Sequence, residues 1–88
     1  MRPPSFHKVI ALEKQILLIL NRDWAPIEGA PADEYDAFAA ELTKMRLAET
    51  EARAMVLYLE WAEEQMGLQL FDTHRALRVA EAIRAVRI

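Results

Sequence analysis

The sequence predicts an all-α protein, folded as a compact four-helix bundle or as an orthogonal array of four helices. Three observations support this prediction. Only 2 of the 88 residues are glycine, and alanine and leucine are abundant, which favours helix. Apolar residues recur at spacings of three and four in four separate segments. The connectors between these segments are short, as in small helical domains.

The length and composition predict a single soluble domain over residues 1–88. Hydrophobic residues make up 53% of the chain and charged residues 28%, an ordinary balance for a globular protein. Such a chain can bury one core but has little room for a deep substrate cavity. Cysteine is absent, which fits a reducing compartment. The apolar run Ile16–Leu20 is far shorter than the roughly 20 residues of a membrane span. We therefore expect a cytoplasmic protein with no membrane segment.

Charge is unevenly distributed, although the net charge is only −3. Residues 1–22 carry four basic and one acidic residue, a net charge of +3. Residues 23–67 carry three basic and eleven acidic residues, a net charge of −8, and residues 68–88 carry four and two, a net charge of +2. We expect ion pairs between acidic middle helices and basic terminal helices. The alternative is an acidic face that attracts a basic partner.

The first helix is predicted over residues 6–21, with Ser5 as its N-cap. Its core stripe comprises Val9, Ile10, Ile16, Leu17 and Leu20, with Leu12 and Ile19 beside it. A loop over residues 23–32 follows, because Pro26 and Pro31 interrupt helical geometry. Trp24 is too apolar for free exposure, so we expect this loop to fold onto the bundle.

The second helix is predicted over residues 34–47, with Asp33 as its N-cap and two further acids in its first turn. Its core stripe comprises Tyr35, Phe38, Leu42 and Met45. The fourth helix is predicted over residues 73–86, with Asp72 as its N-cap. Its inward residues are predicted to be Ala76, Leu77, Ala80 and Ile83.

The third helix is predicted over residues 51–66, with Thr50 as its N-cap and Gly67 just past its end. Its core row comprises Met55, Leu59, Ala62 and Met66, and its water-facing acids are Glu60, Glu63 and Glu64. Leu57 and Trp61 lie off this row. The helix is therefore expected either to pack on two sides or to expose an apolar strip.

Residues suited to catalysis are few, so we do not expect an enzyme. There is no cysteine nucleophile, and Ser5, Thr50 and Thr73 are explained by helix starts. No spacing matches a calcium loop or a zinc site, and we predict no cofactor. The last helix carries arginines that could follow phosphates, but the net acidic charge argues against nucleic acid.

The segment from Trp24 to Asp36 is the candidate binding site, because it combines aromatic, rigid and acidic residues. The predicted binding residues are Trp24, Pro26, Ile27, Asp33, Glu34, Tyr35 and Asp36. Tryptophan and tyrosine commonly anchor interfaces, and the acids would form a rim for a basic partner. The predicted function is a non-enzymatic protein-binding module of regulatory or immunity type. The alternative is that the aromatic residues belong to the core and the acids cap a helix.

Two other functions are open alternatives. The carboxylates of the same segment could hold a metal ion or a small ligand. In the other alternative the chain is a structural homodimer, in which Leu57 and Trp61 seal a helix–helix interface.

The block Trp24-x-Pro26-Ile27, followed by Asp33-Glu34-Tyr35-Asp36, resembles a known signature. Small YugE-like bacterial domains of unknown function carry the pattern W-D-P-I-G and then D-E-Y-D. The resemblance implies a bacterial, all-helical domain and implies no activity. Ala25 stands where the pattern has Asp and Glu28 where it has Gly, so any role of that Asp is lost in this chain.

Overall fold

The structure, a computed structural model, describes residues 5–87 and confirms the all-α prediction. It contains α1 (Phe6–Ile19), α2 (Asp36–Leu47), α3 (Ala52–Gln65) and α4 (Thr73–Ala85). A π-helical turn, Leu20–Trp24, continues α1, and no strand occurs within residues 5–87. The contacts of α3 are most extensive with α4, and those of α1 with α2. None of the helices in this range is long and apolar enough to cross a membrane.

α1 starts as predicted but its helical path continues beyond residue 21. The Ser5 hydroxyl accepts a hydrogen bond from the Lys8 N–H at 3.3 Å. At the other end, the π-helical turn carries the chain to Trp24, and Ala25 ends it in the left-handed conformation with φ of 32°. The Ala25 N–H donates to the Leu20 carbonyl at 2.8 Å. The extra turn directs Trp24 towards the core.

The predicted start of α2 at residue 34, with Asp33 as N-cap, is wrong. Residues 32–35 form turns, in which the Asp36 N–H donates to the Asp33 carbonyl at 3.2 Å. The helix begins at Asp36, and Tyr35 occupies the N-cap position without a side-chain capping hydrogen bond. The reason is tertiary, because the Tyr35 side chain is buried in the core and this position determines the local backbone path.

The N-cap prediction for α3 is wrong, whereas the one for α4 is confirmed. Glu51, not Thr50, precedes α3, and its side chain makes no capping hydrogen bond. At the start of α4, the Asp72 carboxylate accepts a hydrogen bond from the Arg75 N–H at 2.9 Å. That bond satisfies one of the free N–H groups of the first turn.

The end of α3 is a Schellman motif, as expected from Gly67. This residue has φ of +79°, and its N–H donates to the Glu64 carbonyl at 3.0 Å. The Leu68 N–H donates to the Glu63 carbonyl, also at 3.0 Å. Glycine tolerates this left-handed conformation, so the chain reverses here without strain.

One core lies between the four helices and the π-helical turn. Its buried residues are Leu12, Ile16, Ile19, Leu20, Trp24, Tyr35, Ala39, Leu42, Met55, Leu59, Ala62, Ala76, Val79, Ala80 and Ile83. Leu77 was expected to face inward but is 40% exposed, whereas Val79 is fully buried. The principal dimensions are 41 × 26 × 18 Å.

Candidate functional site

Trp24 and Tyr35 are core residues, so their predicted role as exposed anchors is wrong. Each is only 1% exposed, and the centroids of their rings lie 5.1 Å apart. The π-helical turn and the turns at residues 32–35 bring both rings to the inside. Burial of two large aromatic side chains is a major source of stability in a chain of this size.

The loop that follows Trp24 is held against the bundle, as expected. The Tyr35 hydroxyl accepts a hydrogen bond from the Ile27 N–H at 3.1 Å and lies 3.3 Å from the Ile27 carbonyl, to which it can donate. The Asn21 side-chain amide donates to the Ala32 carbonyl at 2.9 Å. Pro26 and Ile27 are half-buried. The loop therefore has a structural role in closing one side of the core.

The three predicted acids of this block stay on the surface. Asp33, Glu34 and Asp36 are exposed, and none forms an ion pair with another residue in the range 5–87. Within the same range, no group of three or more His, Cys, Asp or Glu side chains is arranged to hold a metal ion. These acids are accessible, but the aromatic residues they were expected to surround lie in the core.

Ion pairs between acidic and basic helices are fewer than the charge distribution suggests. The pairs within the described residues are Arg22–Asp23 at 2.7 Å, Lys44–Glu41 at 3.9 Å and Arg75–Glu63 at 3.4 Å. The first two are local, and the hydrogen bond from Arg22 holds the pKa of Asp23 below its ordinary value. Within residues 5–87, only Arg75–Glu63 joins two of the four helices.

Glu63 was predicted to face water, and this prediction is wrong. The residue is 2% exposed, and one of its carboxylate oxygens accepts a hydrogen bond from the Trp24 indole N–H at 3.1 Å. The other oxygen accepts one from Arg75 Nη2 at 3.4 Å. A spacing signal was present in the sequence, because Glu63 follows the core residues Leu59 and Met55 by four and eight positions.

A chain of aromatic contacts leads from the core to the outer surface. Trp24 contacts Phe38 with ring centroids 5.8 Å apart, and Phe38 contacts Tyr58 at 6.4 Å. Tyr58 stacks on Trp61 with a centroid distance of 5.6 Å and an interplanar angle of 27°. Trp61 is held in position by this stack, although 49% of its surface is exposed. An exposed aromatic ring with a fixed orientation loses little conformational freedom when a partner covers it.

α3 carries a second apolar stripe that the other residues in the range 5–87 cover only in part. Ala54, Leu57, Tyr58 and Trp61 follow one another at the i, i+3, i+4 and i+7 spacing of a single helix face. We call this set the α3 outer stripe. Leu57 is 58% exposed, and Ala54 and Tyr58 are half-buried. The expected apolar strip at Leu57 and Trp61 is thus confirmed as exposed surface.

Carboxylates outnumber basic groups, by five to three, on α3 and α2 taken together. Glu60 and Glu64 lie on α3, each three positions after a residue of the α3 outer stripe. Glu41 lies on α2 and pairs with the exposed Lys44. Arg53 is a further basic residue on the exposed side of α3. Near the stripe, three carboxylates thus stand against two basic groups.

The pKa of Tyr58 is affected by one of these carboxylates. Its pKa is raised above the ordinary value, first by partial burial and second by the negative charge of Glu41. A neutral phenol at physiological pH keeps the stripe apolar and leaves its hydroxyl available as a hydrogen-bond donor.

Comparisons with protein-family models, with curated proteins and with solved structures gave no match for this chain. The resemblance to the YugE-like domains therefore stays a prediction.

Proposed function

We propose that this chain is a non-enzymatic protein-binding module that docks an amphipathic helix of a partner protein on the α3 outer stripe. The observation that carries the proposal is the exposure of Leu57 and Trp61 on one face of α3, at 58% and 49%. Helix recognition in a groove or along a helix uses apolar contacts at this same spacing. Tryptophan and tyrosine are also the residue types that contribute most to binding energy in interfaces.

The charge of the surrounding region favours a basic partner. Residues 23–67, which include α2 and α3, carry three basic and eleven acidic residues, a net charge of −8. A basic helix would be attracted to this region, whereas a second copy would present a surface of the same sign. We therefore favour a different, basic protein over a homodimer. A module of this size would act as a regulatory or immunity-type partner of that protein.

A synthetic peptide tests the proposal without knowledge of the natural partner. The probe is a labelled amphipathic helix with leucine at i, i+3, i+4 and i+7 and lysine elsewhere, and its counterpart carries glutamate in place of lysine. Fluorescence anisotropy should show that the lysine peptide binds at least roughly tenfold more tightly than the glutamate peptide. This factor corresponds to a difference of about 1.4 kcal/mol in binding free energy. Substitution of Leu57→Gln or Trp61→Ala should weaken binding by a similar factor.

The matched control is Leu18→Gln, which removes a 67% exposed leucine from α1. Neither Leu18→Gln nor Leu57→Gln changes the net charge of the chain. A purely electrostatic attraction would therefore give the two variants the same affinity for the peptide. Equal binding by the two variants would contradict the proposal. If the double variant Glu34→Lys, Asp36→Lys abolished binding while Leu57→Gln and Trp61→Ala did not, the site would lie at the start of α2. A dimeric mass in light scattering that Leu57→Gln restores to monomer would favour the homodimer.

A further inference from the structure

A polar cavity of about 400 Å³ lies beside the C-terminal ends of α2 and α4. Its lining residues are Arg46, Glu49, Thr50 and Arg84. None of them belongs to the α3 outer stripe. The cavity brings together residues that are separated by up to 38 positions in the sequence, from Arg46 to Arg84.

Arg46 has a donor that the described residues do not satisfy. Its Nη2 donates to the Val86 carbonyl at 2.9 Å, which fixes the guanidinium between α2 and the end of α4. Its Nε is buried and has no hydrogen-bond partner within the described part of the chain. The side chain also lines the cavity, where its other N–H donors can meet an acceptor.

The second guanidinium raises the positive charge of the cavity. Neither Arg46 nor Arg84 has a carboxylate within ion-pair distance among residues 5–87. Glu49 lines the same cavity but is among the groups that form no such pair. Two guanidinium groups around one space repel each other, and the single carboxylate of Glu49 leaves the lining with a net positive charge.

We propose that this cavity binds a tetrahedral oxyanion, either as free phosphate or sulfate or as a phosphoryl group on a partner. The guanidinium groups of Arg46 and Arg84 would hold its oxygens, since the planar fork of arginine matches phosphate geometry. The Thr50 hydroxyl supplies a further donor. α3 begins two residues after Thr50, at Ala52, without a side-chain cap, so its first N–H groups add positive potential.

The test is an NMR titration with inorganic phosphate against a chloride background of constant ionic strength. Melting temperature is a poor readout, because phosphate and sulfate stabilise most folded proteins by exclusion from their surface. We expect saturable shifts at the amides of Glu49 and Thr50 and at the Nε–H of Arg46. A shift that increases linearly without saturation would overturn the proposal.

Two matched variants separate a specific site from general charge attraction. Arg84→Gln should weaken phosphate binding roughly tenfold, because it removes direct charged hydrogen bonds. Arg78→Gln removes the same charge from another exposed position of α4 and should change the affinity by no more than about twofold, since distant charges are screened. Equal effects of the two variants would also overturn the proposal.

O-phosphoserine distinguishes the sources of the anion. Binding tighter than that of inorganic phosphate supports a phosphorylated partner, and equal binding supports a free anion. Arg46 itself is unsuitable as the test position because it holds Val86. The result is independent of the proposed protein-binding function, since the cavity and the α3 outer stripe share no residue.

Discussion

The indole N–H of Trp24 donates a hydrogen bond to the buried carboxylate of Glu63 across 39 positions of the sequence, at 3.1 Å. This bond joins the π-helical turn at the end of α1 to the core side of α3. Arg75 of α4 donates to the same carboxylate at 3.4 Å, so one acidic group links three elements. A buried carboxylate with a charged partner and a neutral donor is stable only while both contacts persist.

Loss of Glu63 should therefore destabilise the fold. Glu63→Ala leaves the Trp24 N–H without an acceptor and Arg75 without its carboxylate, and we expect a loss of about 2–3 kcal/mol. Glu63→Gln keeps an acceptor for the indole and should cost about 1 kcal/mol. The control is Glu64→Gln, an exposed neighbour that should change stability by less than about 0.5 kcal/mol. Urea unfolding measures all three, and equal values for Glu63→Ala and Glu64→Gln would contradict this role.

Tyr35→Phe should loosen the loop without removing the aromatic ring from the core. The change deletes the hydroxyl that accepts from the Ile27 N–H at 3.1 Å, and we expect a loss of about 1 kcal/mol. Tyr58→Phe is the matched control, because the Tyr58 hydroxyl has no hydrogen-bond partner among the described residues. Thermal unfolding would disagree with this prediction if the two variants melted together.

The Schellman motifs at the ends of α2 and α3 have different residues at their left-handed position, so substitutions there should change stability in opposite directions. At the end of α2, Glu49 occupies the left-handed position with φ of 56°, and the Thr50 N–H donates to the Met45 carbonyl at 2.9 Å. A non-glycine residue is strained there, so Glu49→Gly should stabilise the protein by about 1 kcal/mol.

Gly67→Ala at the end of α3 should destabilise it by about 1 kcal/mol. A Cβ at Gly67 would meet nothing within 4 Å, so the cost is that of the backbone conformation alone. Chemical denaturation of the two variants side by side provides the measurement. If Glu49→Gly were less stable than the original chain, the Glu49 carboxylate would contribute more to stability than its strained backbone costs.

The cap of α4 should make part of the stability pH-dependent. The hydrogen bond from the Arg75 N–H lowers the pKa of Asp72, and the charges of Arg75, Arg78 and His74 act in the same direction. Because the folded-state pKa lies below the unfolded-state value of about 3.9, the contribution is complete above that value and is lost as the pH falls through the folded-state pKa.

Asp72→Asn separates the cap from its charge. Asparagine retains an oxygen acceptor for the Arg75 N–H but does not titrate in this range. Compared with the variant, the original chain should lose more stability on acidification below about pH 4. Unfolding curves at several pH values provide the measurement, and parallel pH profiles would count against the titration of this cap.

Local patterns were sufficient to predict the helices and several of their ends. Ser5 and Asp72 accept the capping hydrogen bonds expected of them, and Gly67 takes the left-handed conformation of a helix end. The exposed strip at Leu57 and Trp61 also follows from spacing, because one helix face can be buried by the core and the opposite face cannot.

The candidate binding segment, Trp24 to Asp36, was the least predictable part. Its aromatic residues and acids are adjacent in sequence, yet Trp24 and Tyr35 are buried while Asp33, Glu34 and Asp36 are exposed. Residue type alone does not distinguish an interface anchor from a core residue, because both roles favour large aromatic side chains.

The sequence by itself determined the all-α class, the order of the helices and the apolar faces available for packing. The tertiary structure alone decided that Glu63 is buried against Trp24 and Arg75, and that Arg46 and Arg84 line one cavity. The physical reason is that helical periodicity acts over three and four residues. Contacts between residues that are far apart in the chain depend instead on how the helices pack, which their individual patterns do not specify.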